Sequence, residues 1–145
     1  MTPTEAERIG RAWVEAGGGW MAGMLAVTGA GHPFRLYVGS SDVLCGQGEG
    51  VGGFVAGWIT TVPMLDAWPD PRDAATVGAM WGRYREGLES GTESWAEPIV
   101  FGHSGERQIG VFTRRPPMAA RMRGTGPTEP EALVAALVAA PKGAA

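Results

Sequence analysis

The stretch CGQGEGVGGFVAGWITTV, residues 45–62, decides the fold class. Its glycines at 48, 50 and 53 have the G-x-G-x-x-G spacing, which holds a dinucleotide phosphate when a helix opens directly after it. Here the following residues are aromatic and β-branched, a composition typical of a strand. Glu49 would also repel a phosphate. We therefore interpret the segment as a hairpin loop between antiparallel strands, with a loop that orders over a ligand as the alternative.

Further segments with strand composition lie around this loop and later in the chain. WMAGMLAV (20–27), PFRLYVG (33–39), DVLCG (42–46) and GFVAGWITTV (53–62) predict an antiparallel meander. WAEPIVFG (95–102) and RQIGVFTR (107–114) predict a hairpin joined by a turn at residues 103–106.

A first, short helix is predicted near the N-terminus. Thr4 and Glu7 have the spacing of a capping box, which favours a helix from about Glu5 to Ala16. Three glycines end it. We expect residues 1–19 to form a peripheral helix and a glycine linker.

A second helix is predicted after residue 70. Asp70 is expected as its N-cap, Pro71 as its first residue and Gly91 as its end. Three- and four-residue spacing predicts an apolar face made of Val77, Met80, Trp81, Tyr84 and Leu88.

A third helix is predicted near the C-terminus. Thr128 followed by Glu131 has capping-box spacing, and Pro141 ends the helix before a frayed tail at residues 141–145. Its apolar stripe is predicted to contain Leu133, Val134, Leu137 and Val138.

The segregation of strands from helices favours an α+β fold over a parallel, doubly wound one. We predict one antiparallel sheet of about five to six strands, flanked by two main helices plus the short N-terminal helix. A chain of 145 residues that is 44% apolar can bury one core, which predicts a single domain over residues 1–145.

Composition argues against membrane, metal and catalytic classes. No run of 18 apolar residues occurs and the N-terminus does not resemble a signal peptide, so a cytoplasmic protein is expected. Cys45, His32 and His103 do not form a metal-binding or catalytic spacing. Ser104 lacks the nucleophile-elbow pattern. We expect no cofactor and no enzymatic activity.

An arginine-rich segment, residues 107–126, is the main functional signal. It carries +5 without an acid, whereas the formal charge of the chain is -3. Arginine suits bidentate contacts with phosphate, and aromatic rings provide surfaces on which a base stacks. The predicted ligand-binding residues are Arg107, Arg114, Arg115, Arg121 and Arg123, with Trp58, Trp95 or Phe112 as stacking partners. The alternative is a solvated sheet edge that resists strand pairing.

Three blocks resemble a known family. GWMAGM (19–24), PDPRDAATVG (69–78) and GPTEPEALVAAL (126–137) are similar to blocks of small phage and prophage proteins of the phage ABA-sandwich type. The resemblance implies helices flanking an antiparallel sheet. The chain departs from the family pattern at residues 80–85 and in the glycine-rich stretch 36–62.

Phage proteins of this architecture include the anti-Thoeris sponges, and that likeness of architecture implies a function. The resulting hypothesis is a non-enzymatic, homo-oligomeric anti-defence protein in the cytoplasm of an infected bacterium. It would sequester a small cyclic nucleotide immune signal, of the cyclic ADP-ribose or cyclic oligonucleotide type. No membrane is expected as a partner, and no long nucleic acid, because the acidic remainder opposes a long polyanion. An inhibitor of a host or CRISPR protein and an enzyme acting on nucleotides remain alternatives.

Overall fold

The computed structural model describes residues 1–29, 31–39, 43–48, 59–63, 66–88, 95–102, 107–114 and 121–139. At residues 38–39, 43, 45, 47–48, 59–63 and 95 it describes the backbone only. The helices within this part are α1 (Pro3–Glu15), α2 (Ala74–Glu86) and α3 (Glu129–Ala139). The strands are β1 (Leu25–Thr28), β2 (Pro33–Gly39), β3 (Val43–Gly48), β4 (Ile59–Pro63), β5 (Ala67–Pro69), β6 (Trp95–Phe101), β7 (Gln108–Arg114) and β8 (Arg121–Gly126).

The predicted α+β class with antiparallel strand pairing is confirmed. The described strands form two sheets, where the sequence predicted one, with the orders β4-β3-β2-β1-β5 and β6-β7-β8. The chain divides into two compact units, Met1–Glu15 with Gly19–Ala79 (unit 1) and Ala16–Gly18 with Met80–Ala145 (unit 2). The single domain expected from chain length stays a prediction.

The first four strands of unit 1 form the predicted meander. Each of β1, β2 and β3 pairs antiparallel with the next strand, and the short β5 joins the other side of β1. Gly48 belongs to β3, opposite Phe34 of β2. Because β3 and β4 are antiparallel neighbours, the glycine-rich stretch connects them as a hairpin connection does. Gly50 and Gly53 lie outside the described residues.

Helix α1 begins two residues earlier than predicted, and the predicted Thr4–Glu7 capping box is wrong. The Thr2 backbone N–H donates to Glu5 Oε2 at 2.7 Å, and the Glu5 N–H donates to Thr2 Oγ1 at 3.2 Å. Glu7 instead accepts a hydrogen bond from Arg11 Nε. One face of the helix is buried, since Trp13 is fully buried and donates its indole N–H to the Gly19 carbonyl.

The cap predicts that substitutions of the two threonines at the start of α1, Thr2 and Thr4, differ in their effect on stability. Thr2→Ala removes the side-chain acceptor at the N-cap and is expected to lower the free energy of unfolding by about 1 kcal/mol. Thr4→Ala is the matched control and is expected to change it by less than about 0.5 kcal/mol. Urea unfolding followed by circular dichroism measures both. A larger loss for Thr4→Ala would favour the cap predicted from sequence.

Helix α2 begins three residues later than predicted because Arg72 binds the carboxylate of Asp70. The Arg72 backbone N–H, Nε and Nη2 donate to the Asp70 carboxylate at 2.8 to 3.0 Å. Asp73 is therefore the N-cap, and its Oδ2 accepts the Thr76 N–H at 2.9 Å. The predicted core residues of this helix that are buried are Met80, Trp81 and Tyr84. Gly91 lies outside the described residues.

Unit 2 contains the antiparallel sheet β6-β7-β8 and α3, which packs on β8 and β7. Thr128 caps α3 as predicted, accepting the Glu131 N–H at 3.4 Å. The predicted apolar stripe is partly wrong, because Val138 is 59% exposed whereas Ala132, Leu133 and Ala136 are buried. Ala132 and Ala136 of α3 pack against Gly124 of β8, so small residues lie on both sides of the contact between the helix and the sheet.

Candidate functional site

The candidate site is built on one row of residues across the three strands of unit 2. Ala96 of β6 pairs with Thr113 of β7, which pairs with Arg121 of β8. Directly opposed residues of antiparallel strands project to the same side of a sheet. The row spans two strand spacings, about 10 Å. Ala96 and Thr113 are 0% and 1% exposed, so two buried residues of the row lie next to the exposed Arg121.

Arg123 joins this row through a hydrogen bond. Its Nε donates to Thr113 Oγ1 at 3.1 Å. The register between β7 and β8 shifts between Val111 and Phe112, as in a β-bulge, and Arg123 is the residue of β8 left without a partner there. Because side chains alternate along a strand, Arg123 lies on the same side as Arg121 and Thr113. Burial raises the pKa of the Tyr84 phenol, and the charge of Arg123 acts on that pKa in the opposite direction. Arg123 therefore lies near both Thr113 and Tyr84.

Arg85 of α2 reaches the other end of the row. Its Nε donates to the Ala96 carbonyl at 3.1 Å, and its guanidinium carbon lies 5.1 Å from the centroid of the Trp81 ring. The Trp81 indole N–H donates to Glu129 Oε2 at 3.0 Å. We call Arg85, Arg121 and Arg123 the arginine row.

Sequence reasoning missed Arg85, although a signal for it was present. An arginine four residues after a tryptophan on a helix lies on the same face and within reach of the ring. Arg85 was absent from the predicted site because it lies outside the segment 107–126, in which the positive charge is concentrated.

The structure separates the other arginines predicted for the site. Arg114 follows Thr113 and therefore projects from the opposite side of the sheet. Arg107 precedes β7 at its other end, about 23 Å from Arg114 at the usual rise of a strand. Arg115 lies outside the described residues. The predicted cluster is thus reduced to Arg121 and Arg123 on one side, with Arg114 on the other.

The predicted aromatic partners do not lie on the side of the arginine row, as far as they are described. Phe112 shares the opposite side with Met122, its neighbour on β8. Trp95 is opposite Arg114 in the register, and the position of its backbone alone is described. Trp58 lies outside the described residues. Their role in stacking stays a prediction.

The side of the sheet opposite the arginine row carries exposed apolar residues. A Cβ on Gly110 would lie 2.6 Å from the Phe112 ring and 3.1 Å from the Phe101 ring, so both rings pack over this glycine. Phe101 is 39% exposed and Met122 is 50% exposed. We call Phe101, Phe112 and Met122 the apolar face.

The charge of the two units differs. Unit 2 holds eight basic and seven acidic residues, whereas unit 1 holds four and eight. Two acids of α3 in unit 2 already accept hydrogen bonds. Glu129 accepts from the Trp81 indole N–H, and Glu131 accepts from the Thr128 hydroxyl. The net positive unit therefore contains the arginine row.

Over the described ranges the chain has neither a metal-binding group nor a membrane-spanning helix. Histidine, cysteine and carboxylate side chains do not form a group of three or more suited to a metal ion there. None of the described helices has the length and apolar character needed to cross a membrane. Comparison with protein-family models, curated proteins and solved structures finds no match to this chain.

Proposed function

We propose that this protein binds a small anionic nucleotide at the arginine row and holds it without chemical change. The observation that carries the proposal is the placement of Arg85, Arg121 and Arg123 along one cross-strand row. Two of the three guanidinium groups are held by hydrogen bonds to that row, at Thr113 Oγ1 and the Ala96 carbonyl. Arginines held in place lose less conformational entropy when they bind an anion.

The size and chemistry of the row favour a small ligand that is bound and not transformed. A row about 10 Å wide accommodates one or two phosphate groups, not the repeated phosphates of a duplex. Arginine keeps its proton in proteins, so it neutralises a phosphate without acting as a general acid or base. These features support a sequestering role over an enzymatic one.

The biological role rests on the resemblance to phage ABA-sandwich proteins and sponges. In that role the ligand is a cyclic ADP-ribose-type or cyclic oligonucleotide immune signal, and the protein acts in the cytoplasm of the infected bacterium as a homo-oligomer. Sequestration lowers the free concentration of the signal by mass action, which needs only affinity and abundance.

Isothermal titration with cyclic ADP-ribose isomers and cyclic di- and trinucleotides tests this function. We expect one of these ligands to bind, and Arg121→Ala combined with Arg123→Ala to weaken binding at least about 100-fold, because each lost charged hydrogen bond contributes about 1.5 to 3 kcal/mol. Arg107→Ala, at the other end of β7, is the control and should leave the affinity within about twofold. Absence of binding by every nucleotide tested contradicts the proposal. Binding of undiminished affinity by the double variant contradicts the site.

The apolar face favours a second candidate function, inhibition of a protein partner. Phe101 and Met122 are exposed aromatic and methionine side chains, residue types enriched at protein interfaces. A stoichiometric complex that is lost in a Phe101→Ser, Met122→Ser variant and kept in the Arg121→Ala, Arg123→Ala variant would favour this candidate over nucleotide binding.

A further inference from the structure

We infer that Arg85 provides the bidentate phosphoryl contact of the arginine row, an assignment that rests on the proposed function. The ligand class follows from the geometry: a tetrahedral phosphoryl group with two non-bridging oxygens accepts two parallel N–H bonds from one guanidinium. Arg85 lies on α2, outside the arginine-rich segment, and thus extends the site from the sheet to a helix.

The guanidinium of Arg85 is fixed at one edge and on one face. The Ala96 carbonyl, which accepts from Nε at 3.1 Å, belongs to a fully buried residue of β6. The guanidinium carbon lies over the Trp81 ring, 5.1 Å from its centroid, and that ring is itself held by the bond to Glu129. Edge and face are both occupied by groups that are buried or hydrogen-bonded. The orientation of the group is therefore set before a ligand arrives.

The terminal nitrogens of Arg85 remain available to a ligand. A guanidinium has five N–H donors, and the bond to Ala96 uses the one on Nε. Within the described part of the chain, the Ala96 bond and the Trp81 contact are the interactions of this side chain, which is exposed. The contacts described leave the four N–H donors on Nη1 and Nη2 unused, and two parallel ones among them match the two oxygens of a phosphoryl group.

Arg121 provides the second cation for the same ligand. It is exposed, it occupies the row that Ala96 begins, and no ion pair joins it to another described residue. The row from Ala96, which Arg85 contacts, to Arg121 spans about 10 Å, and an anion bound between two like charges offsets their repulsion. A ligand bound to Arg85 therefore also offsets the positive charge of Arg121.

A purely structural role for Arg85 makes a different prediction. A tether between α2 and β6 would affect stability alone, whereas a phosphoryl contact also affects the affinity for phosphate compounds. Arg83 is the matched control, because it is an exposed arginine in the same last turn of α2. Arg85→Lys keeps the charge but loses the planar fork and its stacking on Trp81.

The test is titration of inorganic pyrophosphate and of the nucleotide panel into the wild type, Arg85→Lys, Arg85→Ala and Arg83→Ala. We expect Arg85→Ala to weaken pyrophosphate binding about 30-fold and Arg85→Lys about 10-fold, since a bidentate charged pair is stronger than a point charge. Arg83→Ala should stay within about twofold. Thermal unfolding of each variant separates loss of affinity from loss of fold, and Arg85→Lys carries the test if Arg85→Ala does not fold.

The outcomes separate this inference from the proposed function. Nucleotide and pyrophosphate binding that is equal in the wild type and both Arg85 variants overturns the inference and leaves the function standing. Arg85-dependent binding of pyrophosphate without any nucleotide binding supports the inference and contradicts the function. Absence of binding by both kinds of probe overturns both.

Discussion

Gly124→Ala is expected to lower the free energy of unfolding by about 3 kcal/mol, because an added methyl group overpacks the contact between β8 and α3. A Cβ at this position would collide with the backbone nitrogen of Ala136 and lie 2.6 Å from the Ala132 carbonyl oxygen. Both are backbone atoms, so no side-chain rotation relieves the clash. Helix α3 would have to move away from the sheet.

A second glycine gives the control for this substitution. Gly82 lies in α2, and a Cβ there would meet nothing within 4 Å. Gly82→Ala should stabilise the protein by up to about 1 kcal/mol, since alanine favours a helix over glycine. Chemical denaturation of both variants measures the two changes. Equal effects, or a neutral Gly124→Ala, would contradict the close approach of α3 to β8.

Asp73→Ala is expected to lower the free energy of unfolding by about 2 to 3 kcal/mol, through loss of a helix cap and of an ion pair. The Asp73 carboxylate accepts from the Thr76 N–H and hydroxyl, both at 2.9 Å, and from Arg35 Nη1 at 2.7 Å. The fully buried Thr76 in turn accepts the Leu25 N–H of β1 at 2.8 Å. Asp66→Ala, at an exposed acid, is the control and should change stability by less than about 0.5 kcal/mol.

The same carboxylate predicts a dependence on pH. Burial acts to raise the pKa of Asp73, but the hydrogen bonds from Arg35 and Thr76 outweigh it and hold the pKa below its usual value. A depressed folded-state pKa contributes stability that is present above about pH 4 and is lost as the pH falls through the folded-state value. The stability difference between the wild type and Asp73→Asn should therefore shrink in acid. A difference that is constant from neutral pH to pH 2.5 would contradict this assignment.

The sequence predicted those features that depend only on residues close together in the chain. Thr128 and Glu131 form the expected cap because both partners lie in one helical turn. The α2 cap was misplaced because Asp70 and Asp73 are both suitable caps, and the choice depends on Arg72 and on Arg35 of a distant strand. Such choices are made by tertiary contacts.

Strand β8 shows why part of the fold was not predictable. Its sequence, RMRGTG, has little strand composition, and it becomes a strand through pairing with β7 and close packing of α3 on Gly124. The same pairing distributes the arginines. The concentration of charge along the sequence indicated a cluster, but strand alternation sends Arg114 and Arg121 to opposite sides, and only the fold adds Arg85.

The central claim is that the arginine row forms one anion site. Nitrogen-15 spectra of the arginine side chains test this claim most directly. On titration with pyrophosphate, the Nε–H signals of Arg85, Arg121 and Arg123 are predicted to shift together with a single affinity, while those of Arg83 and Arg107 stay in place. Shifts of equal size at all five arginines, or no shift at the three residues of the row, would contradict it.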